Sequence, residues 1–220
     1  FPTIEIKPVA DPTALDAAID RLAVSAAYDW LVLTSANGVA AFWERLLAAG
    51  FDSRILSRLK IAAIGPATAE ALAQRSIKPD LIPVVYTAEG VLDAFDELGP
   101  VAGLRFLLTR ADIARKTLAE GLSERGALVE EIAAYRTVPR ASGPPPPAAE
   151  IVTFTSSSTV QGYVNCLAGR DPTQALQDST VVCIGPITAA TAQELGLPVH
   201  ATAQEYTIDG ILTTLTEKLD

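Results

Sequence analysis

Ile61-Ala62-Ala63-Ile64-Gly65-Pro66-Ala67-Thr68-Ala69 reads as a strand, a tight turn and the opening of a helix. An unbroken apolar run suits a strand covered on both faces, and Pro66 at the first helical position gives up only an amide that the helix leaves unpaired anyway. The same reading returns 120 positions later in Val181-Val182-Cys183-Ile184-Gly185-Pro186-Ile187-Thr188-Ala189. Upstream, Thr34-Ser35-Ala36-Asn37-Gly38-Val39 is echoed by Thr155-Ser156-Ser157-Ser158-Thr159-Val160. Downstream, Tyr86-Thr87-Ala88-Glu89-Gly90 is echoed by Tyr206-Thr207-Ile208-Asp209-Gly210. The interval from Ile64 to Tyr86 is 22 residues, as is that from Ile184 to Tyr206. The chain is therefore a duplication of one supersecondary plan, which predicts two similar lobes and a cleft between them.

Around these motifs the pattern alternates between strand and helix. Apolar runs at Trp30 to Leu33, Ile61 to Ile64, Leu81 to Val84, Leu104 to Leu108, Val129 to Ala133, Ile151 to Phe154 and Val181 to Ile184 predict strands. Helices are predicted from Thr13 to Ala23, Val39 to Ala49, Pro66 to Arg75, Glu89 to Leu98, Ile113 to Arg125 and Thr188 to Leu195, several closed by a glycine. Alternation of this kind gives an α/β class with doubly wound parallel sheets. Pro139-Arg140-Ala141-Ser142-Gly143-Pro144-Pro145-Pro146-Pro147 forms neither helix nor sheet interior and reads as a connector, with Thr3 to Pro8 as its opposite number. The strand, helix and strand at 104–134 have no counterpart before Phe1, so the native chain is expected to begin about 30 residues earlier.

With 220 residues, 49% of them hydrophobic and 20% charged, the chain can bury two cores of about 100 residues each. A net charge of −9 argues against a nucleic-acid surface, and no apolar run approaches the roughly 20 residues that span a bilayer. Cys166 and Cys183 have neither metal-ligand nor CxxC spacing and read as reduced thiols of a cytoplasmic protein. His200 is the sole histidine and is expected to end a strand; it leaves no histidine-based metal site or Ser-His-Asp mechanism. No metal and no cofactor are expected, and no nucleotide loop appears, GxGxxG and GxxxxGK[ST] both being absent.

Each repeated motif follows a strand and precedes a helix, where an open parallel sheet binds its ligands and where free amides carry partial positive charge. The candidate binding residues are Thr34, Ser35, Ala36, Asn37, Gly38, Gly65, Pro66, Ala67 and Thr68 in the first copy. Their counterparts are Thr155, Ser156, Ser157, Ser158, Gly185, Pro186, Thr188, Tyr206 and Thr207, and Arg110 is the basic residue best placed to join them. Hydroxyls and backbone amides in this pattern make anion receptors without net charge. Serine and threonine at helix starts are equally ordinary N-caps, and Tyr86 and Tyr206 also fit as hydrophobic staples.

At these motifs the sequence resembles the uroporphyrinogen-III synthase family, in the stretches Leu33 to Phe42, Ala63 to Leu72, Tyr86 to Gly90, Leu107 to Arg110, Ala134 to Val138, Val152 to Val160 and Ile184 to Thr191. The resemblance implies two flavodoxin-like lobes joined by a two-stranded linker: a continuous middle lobe at 8–135, connectors at 1–7 and 136–149, and a second lobe at 150–220 that the expected upstream strand and helix would complete. It implies a monomer acting on hydroxymethylbilane, a linear tetrapyrrole with eight carboxylate arms, and closing it with inversion of ring D and loss of water. It leaves open a transient contact with the preceding enzyme of the pathway. Some members carry a tyrosine, proposed as the acid that assists hydroxyl loss, shortly before the strand equivalent to Ile151 to Phe154. Here the stretch from Ser142 to Glu150 has none, so no catalytic residue is assigned. A catalytically silent tetrapyrrole-binding or sensory module is the alternative. A phosphate-handling isomerase would need a Glu or His base beside the Ser/Thr loops.

Overall fold

The computed structural model describes residues 1–113, 116–140 and 143–219. Positions 141 and 142 of the expected connector, and 114 and 115 of the helix expected from Ile113, lie outside the described residues. The chain divides into two compact units, Ile6–Arg136 and Phe1–Glu5 with Thr137–Asp220. This division gives the proline-rich stretch to the smaller unit.

The larger unit contains α1 (Thr13–Val24), β2 (Trp30–Leu33), α2 (Ala36–Ala48), β3 (Lys60–Ala63), α3 (Pro66–Ala73), α4 (Ala88–Leu98), β4 (Arg105–Ala111) and α5 (Thr117–Glu124), with most of β1 (Ile4–Pro8) and β5 (Leu128–Pro139), whose outer ends belong to the smaller unit. Its sheet runs β1-β5-β4-β2-β3, and the β2–β3, β2–β4 and β4–β5 pairs are parallel. Strand alternation sends Leu31 and Leu33 to one core with residues of α1, α2 and α3, and Trp30 and Val32 to another with residues of α4 and α5. Helices thus cover both faces, as the continuous apolar runs required. In the second core Trp30, Phe95 and Phe106 pack as an aromatic triad, with Phe95 edge-on to both partners at 4.9 and 5.2 Å between centroids.

The smaller unit contains β6 (Ile151–Phe154), α6 (Ser157–Cys166), α7 (Pro172–Ala175), β7 (Thr180–Cys183), α8 (Pro186–Glu194), β8 (Ala201–Thr202) and α9 (Ile208–Leu219). Its strands order β6-β7-β8, all parallel. Val181 and Cys183 face α6 and α8, whereas Val182 faces α9.

Two sequence expectations need correction. The strand expected over Leu81 to Val84 contracts to a single bridge from Leu81 to Ala62, because Pro83 has no amide to donate and Val84 is 93% exposed. His200 precedes a strand instead of ending one. Its Nδ1 accepts the Val181 amide at 3.0 Å while its own amide donates to the Val181 carbonyl at 2.9 Å. Asp80 stands at the equivalent place in the first copy and clips Ile61 in the same two ways, at 2.8 and 2.7 Å. The sole histidine is a strand clip.

Candidate functional site

In each unit the repeated motifs stand at the carboxyl ends of the parallel strands. Ser35 caps α2, its Oγ accepting the Gly38 amide at 2.9 Å, and Ser156 caps α6 by accepting the Thr159 amide at 3.3 Å. Ala36 and Asn37 then open α2 with first-turn amides that no helix carbonyl can meet. Thr34 Oγ1 donates to the Thr109 carbonyl at 3.4 Å, tying the β2 end to β4. In the smaller unit Ser157 and Ser158 are partly used inside the fold: Ser157 bonds Thr191 of α8 at 2.7 Å, and Ser158 bonds Ser156 at 2.9 Å.

The Gly-Pro-x-Thr loops behave alike in both copies. Gly65 and Gly185 precede Pro66 and Pro186, the first residues of α3 and α8, and Ala67 and Ile187 follow. A Cβ on Gly65 would meet the Tyr86 ring at 3.3 Å, and one on Gly185 would meet the Tyr206 ring at 3.1 Å. These tyrosines therefore lie over the glycines, which explains why Gly-Pro and Tyr-Thr recur together. Thr68 and Thr188 are 3% and 5% exposed, and no side-chain hydrogen bond engages either hydroxyl. Freedom from capping sets them apart from the capping hydroxyls, whereas the hydroxyl sealed in the fold without a partner is that of Thr109 at the end of β4. Thr87 and Thr207 are such caps, accepting the amides of Gly90 at 3.1 Å and Gly210 at 3.0 Å. A Cβ at either glycine would fall 2.0 to 2.1 Å from the carbonyl oxygen of Val85 or Glu205, so the backbone packs against itself there.

Arg110 is not open to an anion as the sequence suggested. It pairs with Glu131, and both side chains are largely buried. The sequence reading also missed Tyr135. Its hydroxyl stands 2.9 Å from Ser35 Oγ, and the residue is 7% exposed. Burial pushes this phenol up, the Ser35 hydrogen bond draws it down and nearby Asp112 pushes it up again, so the net direction is upward. The available sequence signal was Tyr135 closing the apolar run of β5, the place in an open sheet where functional side chains emerge.

Around Asn37 and Tyr135 lies a cavity of about 200 Å³, lined also by Ile6, Lys7, Ala40 and Glu44. A second cavity, in the smaller unit, of about 440 Å³, is lined by Phe154, Thr155 and Thr159 among others. Apolar walls with a few hydroxyls and amides suit an organic ligand with anionic arms. Among the described residues no group of His, Cys, Asp and Glu could hold a metal ion, and no helix is long and apolar enough to cross a membrane.

Comparison with known proteins gives the chain its relatives in sequence and in fold. The uroporphyrinogen-III synthase of Synechococcus elongatus is 36% identical over 228 aligned positions, spanning 98% of this chain and 83% of that protein. In fold, the chain resembles a variant uroporphyrinogen III synthase of Thermus thermophilus, at a TM-score of 0.66 and 19% identity over 100% of this chain and 88% of that one. The uroporphyrinogen-III synthetase structure of Helicobacter pylori gives a TM-score of 0.65 at 20% identity over 99% of this chain and 91% of that one. The family model of uroporphyrinogen-III synthase HemD matches residues 1–213, and the chain belongs to that family.

Proposed function

We infer that this chain is a uroporphyrinogen-III synthase, a cyclising lyase of tetrapyrrole biosynthesis. It converts hydroxymethylbilane to uroporphyrinogen III with inversion of ring D and release of water. The observation that carries the site assignment is the pair of threonines, Thr68 and Thr188, that cap no helix and stand at equivalent helix starts in the two units. Such starts hold carboxylates through amides and hydroxyls, so the net charge of −9 does not oppose an octa-anionic substrate. β1 and β5, which both cross the division between units, serve as the two-stranded linker.

Tyr135 is the proton donor in this reading. Its phenol stays protonated at neutral pH and gives its proton to the departing hydroxyl, so that water leaves and an azafulvene cation forms. Ring D attacks through its substituted carbon, and the spiro intermediate fragments and closes again with the ring turned over. The proton released on final rearomatisation restores the phenol. Ser35 keeps the hydroxyl aimed and the α2 start supplies dipoles. The protein works as a monomer in the cytoplasm, with both cysteines as free thiols.

Incubation with hydroxymethylbilane and separation of the isomers tests the activity. The type III product is expected, and type I product alone excludes the enzyme in favour of a silent binding module. Tyr135→Phe is expected to lower kcat by about 100-fold or more with type III still the enzymatic product.

A further inference from the structure

The pairing of β4 with β5 is interrupted once: Arg110 lies opposite Ala133 but Ala111 lies opposite Tyr135, leaving Ala134 as an extra residue. Regular alternation would put Tyr135 on the face opposite Ile132 and Ala134. With the bulge, Ile132, Ala134 and Tyr135 all join the core under α1 and α2, and Tyr135 reaches Ser35.

On the other face, following Leu108, stands Arg110. Its Nε meets Glu131 Oε1 at 2.6 Å without hydrogen-bond alignment, and Nη2 donates to Glu131 Oε2 at 3.0 Å. Nη1 donates to the carbonyls of Ala111 at 2.7 Å and Asp112 at 3.1 Å. The guanidinium thus ties Glu131, before the register shift, to carbonyls beyond it. Pairing resumes there, the Asp112 amide donating to the Tyr135 carbonyl at 3.0 Å. A largely buried ion pair is a poor way to hold two strands, because both charges lose hydration and apolar residues of like volume serve as well. Its position across the bulge gives it a different use.

We propose that Arg110 and Glu131 are positioning residues: they clamp the β4–β5 bulge and thereby fix the aim of the Tyr135 hydroxyl in the ring-closing reaction. This rests on the reading of Tyr135 as proton donor. The pair acts from the opposite face of the sheet, through the backbone.

The double variant Arg110→Met/Glu131→Met tests this, assayed for kcat and KM with hydroxymethylbilane alone and in a Tyr135→Phe background. The expected result is a kcat lower by about 10- to 100-fold, from slight misplacement of the phenol, with KM within about twofold. In the Tyr135→Phe background the same substitutions should cost nothing further. An unchanged kcat overturns the proposal, as does a raised KM with kcat intact, which would make Arg110 a substrate contact. An equal loss in the Tyr135→Phe background also overturns it, because the effect would not pass through the phenol. Full activity of Tyr135→Phe alone removes the proton-donor reading itself, and with it the role of the clamp. Should the double variant fail to fold, Glu131→Gln keeps the volume and an acceptor; its kcat must fall with KM unchanged, and an unchanged kcat there equally overturns the proposal.

Discussion

Among threonines of the repeated motifs, burial and partners separate two roles that look alike in sequence. Thr87 and Thr207 accept helix amides and are caps, so alanine at either is expected to cost about 1 kcal/mol of stability while leaving kcat/KM nearly unchanged. Thr68 and Thr188 cap nothing with their hydroxyls. Valine at either keeps the shape, so stability should hold within about 1 kcal/mol. Turnover should drop by about 10-fold or more, the worth of a hydrogen bond to a charged group. Urea denaturation read beside steady-state kinetics checks both pairs, and unaltered turnover in both valine variants would return Thr68 and Thr188 to a purely structural role. The thiols also differ. Burial pushes Cys183 up to about 11, whereas Cys166 is half-buried, so a thiol reagent at pH 8 should label Cys166 first and Cys183 only on unfolding.

At the scale of elements, β4 is the member on which both the core and the site depend. Its Phe106 is fully buried against Trp30 and Phe95, while its far end carries Thr109, Arg110 and the bulge partner of β5. Phe106→Ala is expected to cost about 3–5 kcal/mol, seen as a lower urea midpoint with an unchanged m-value. The elements themselves were largely legible: β2 and β6 fall where the apolar runs put them, and the glycines after α2 and α5 adopt φ of +80° and +81°. The miss at Leu81 to Val84 has a local cause, since an apolar run is not a strand when its proline breaks the ladder and, Leu81 apart, residues such as Ile82 and Val84 stay exposed.

For the whole molecule, the pH dependence of stability follows from carboxylates held below their ordinary range. Burial acts against Asp29, yet the Arg105 amide and guanidinium outweigh it, and hydrogen bonds from Arg125 do the same for the exposed Asp96. Groups with depressed folded values stabilise the fold above their unfolded value near pH 4 and lose that contribution as pH falls through the folded value. Tyr135 runs the other way: its raised value supports the fold below about pH 10, and that support is lost as pH rises through the folded value. Thermal melts should therefore fall off below about pH 4 and above about pH 10, with kcat showing no loss from Tyr135 ionisation between them. A Tyr135→Phe melt that keeps the full alkaline fall would assign it elsewhere. By itself the sequence determined the duplication, the α/β alternation and the strand-loop-helix motifs, because residues a few positions apart carry those periods and caps. Tertiary structure alone decided which of the motif residues are spent inside the fold. Tyr135 meets Ser35 across 100 residues and Arg110 meets Glu131 across 21, through a bulge that turns one side chain to the other face. No local pattern encodes that turn, because a single inserted residue inverts the alternation on which any reading of a strand depends.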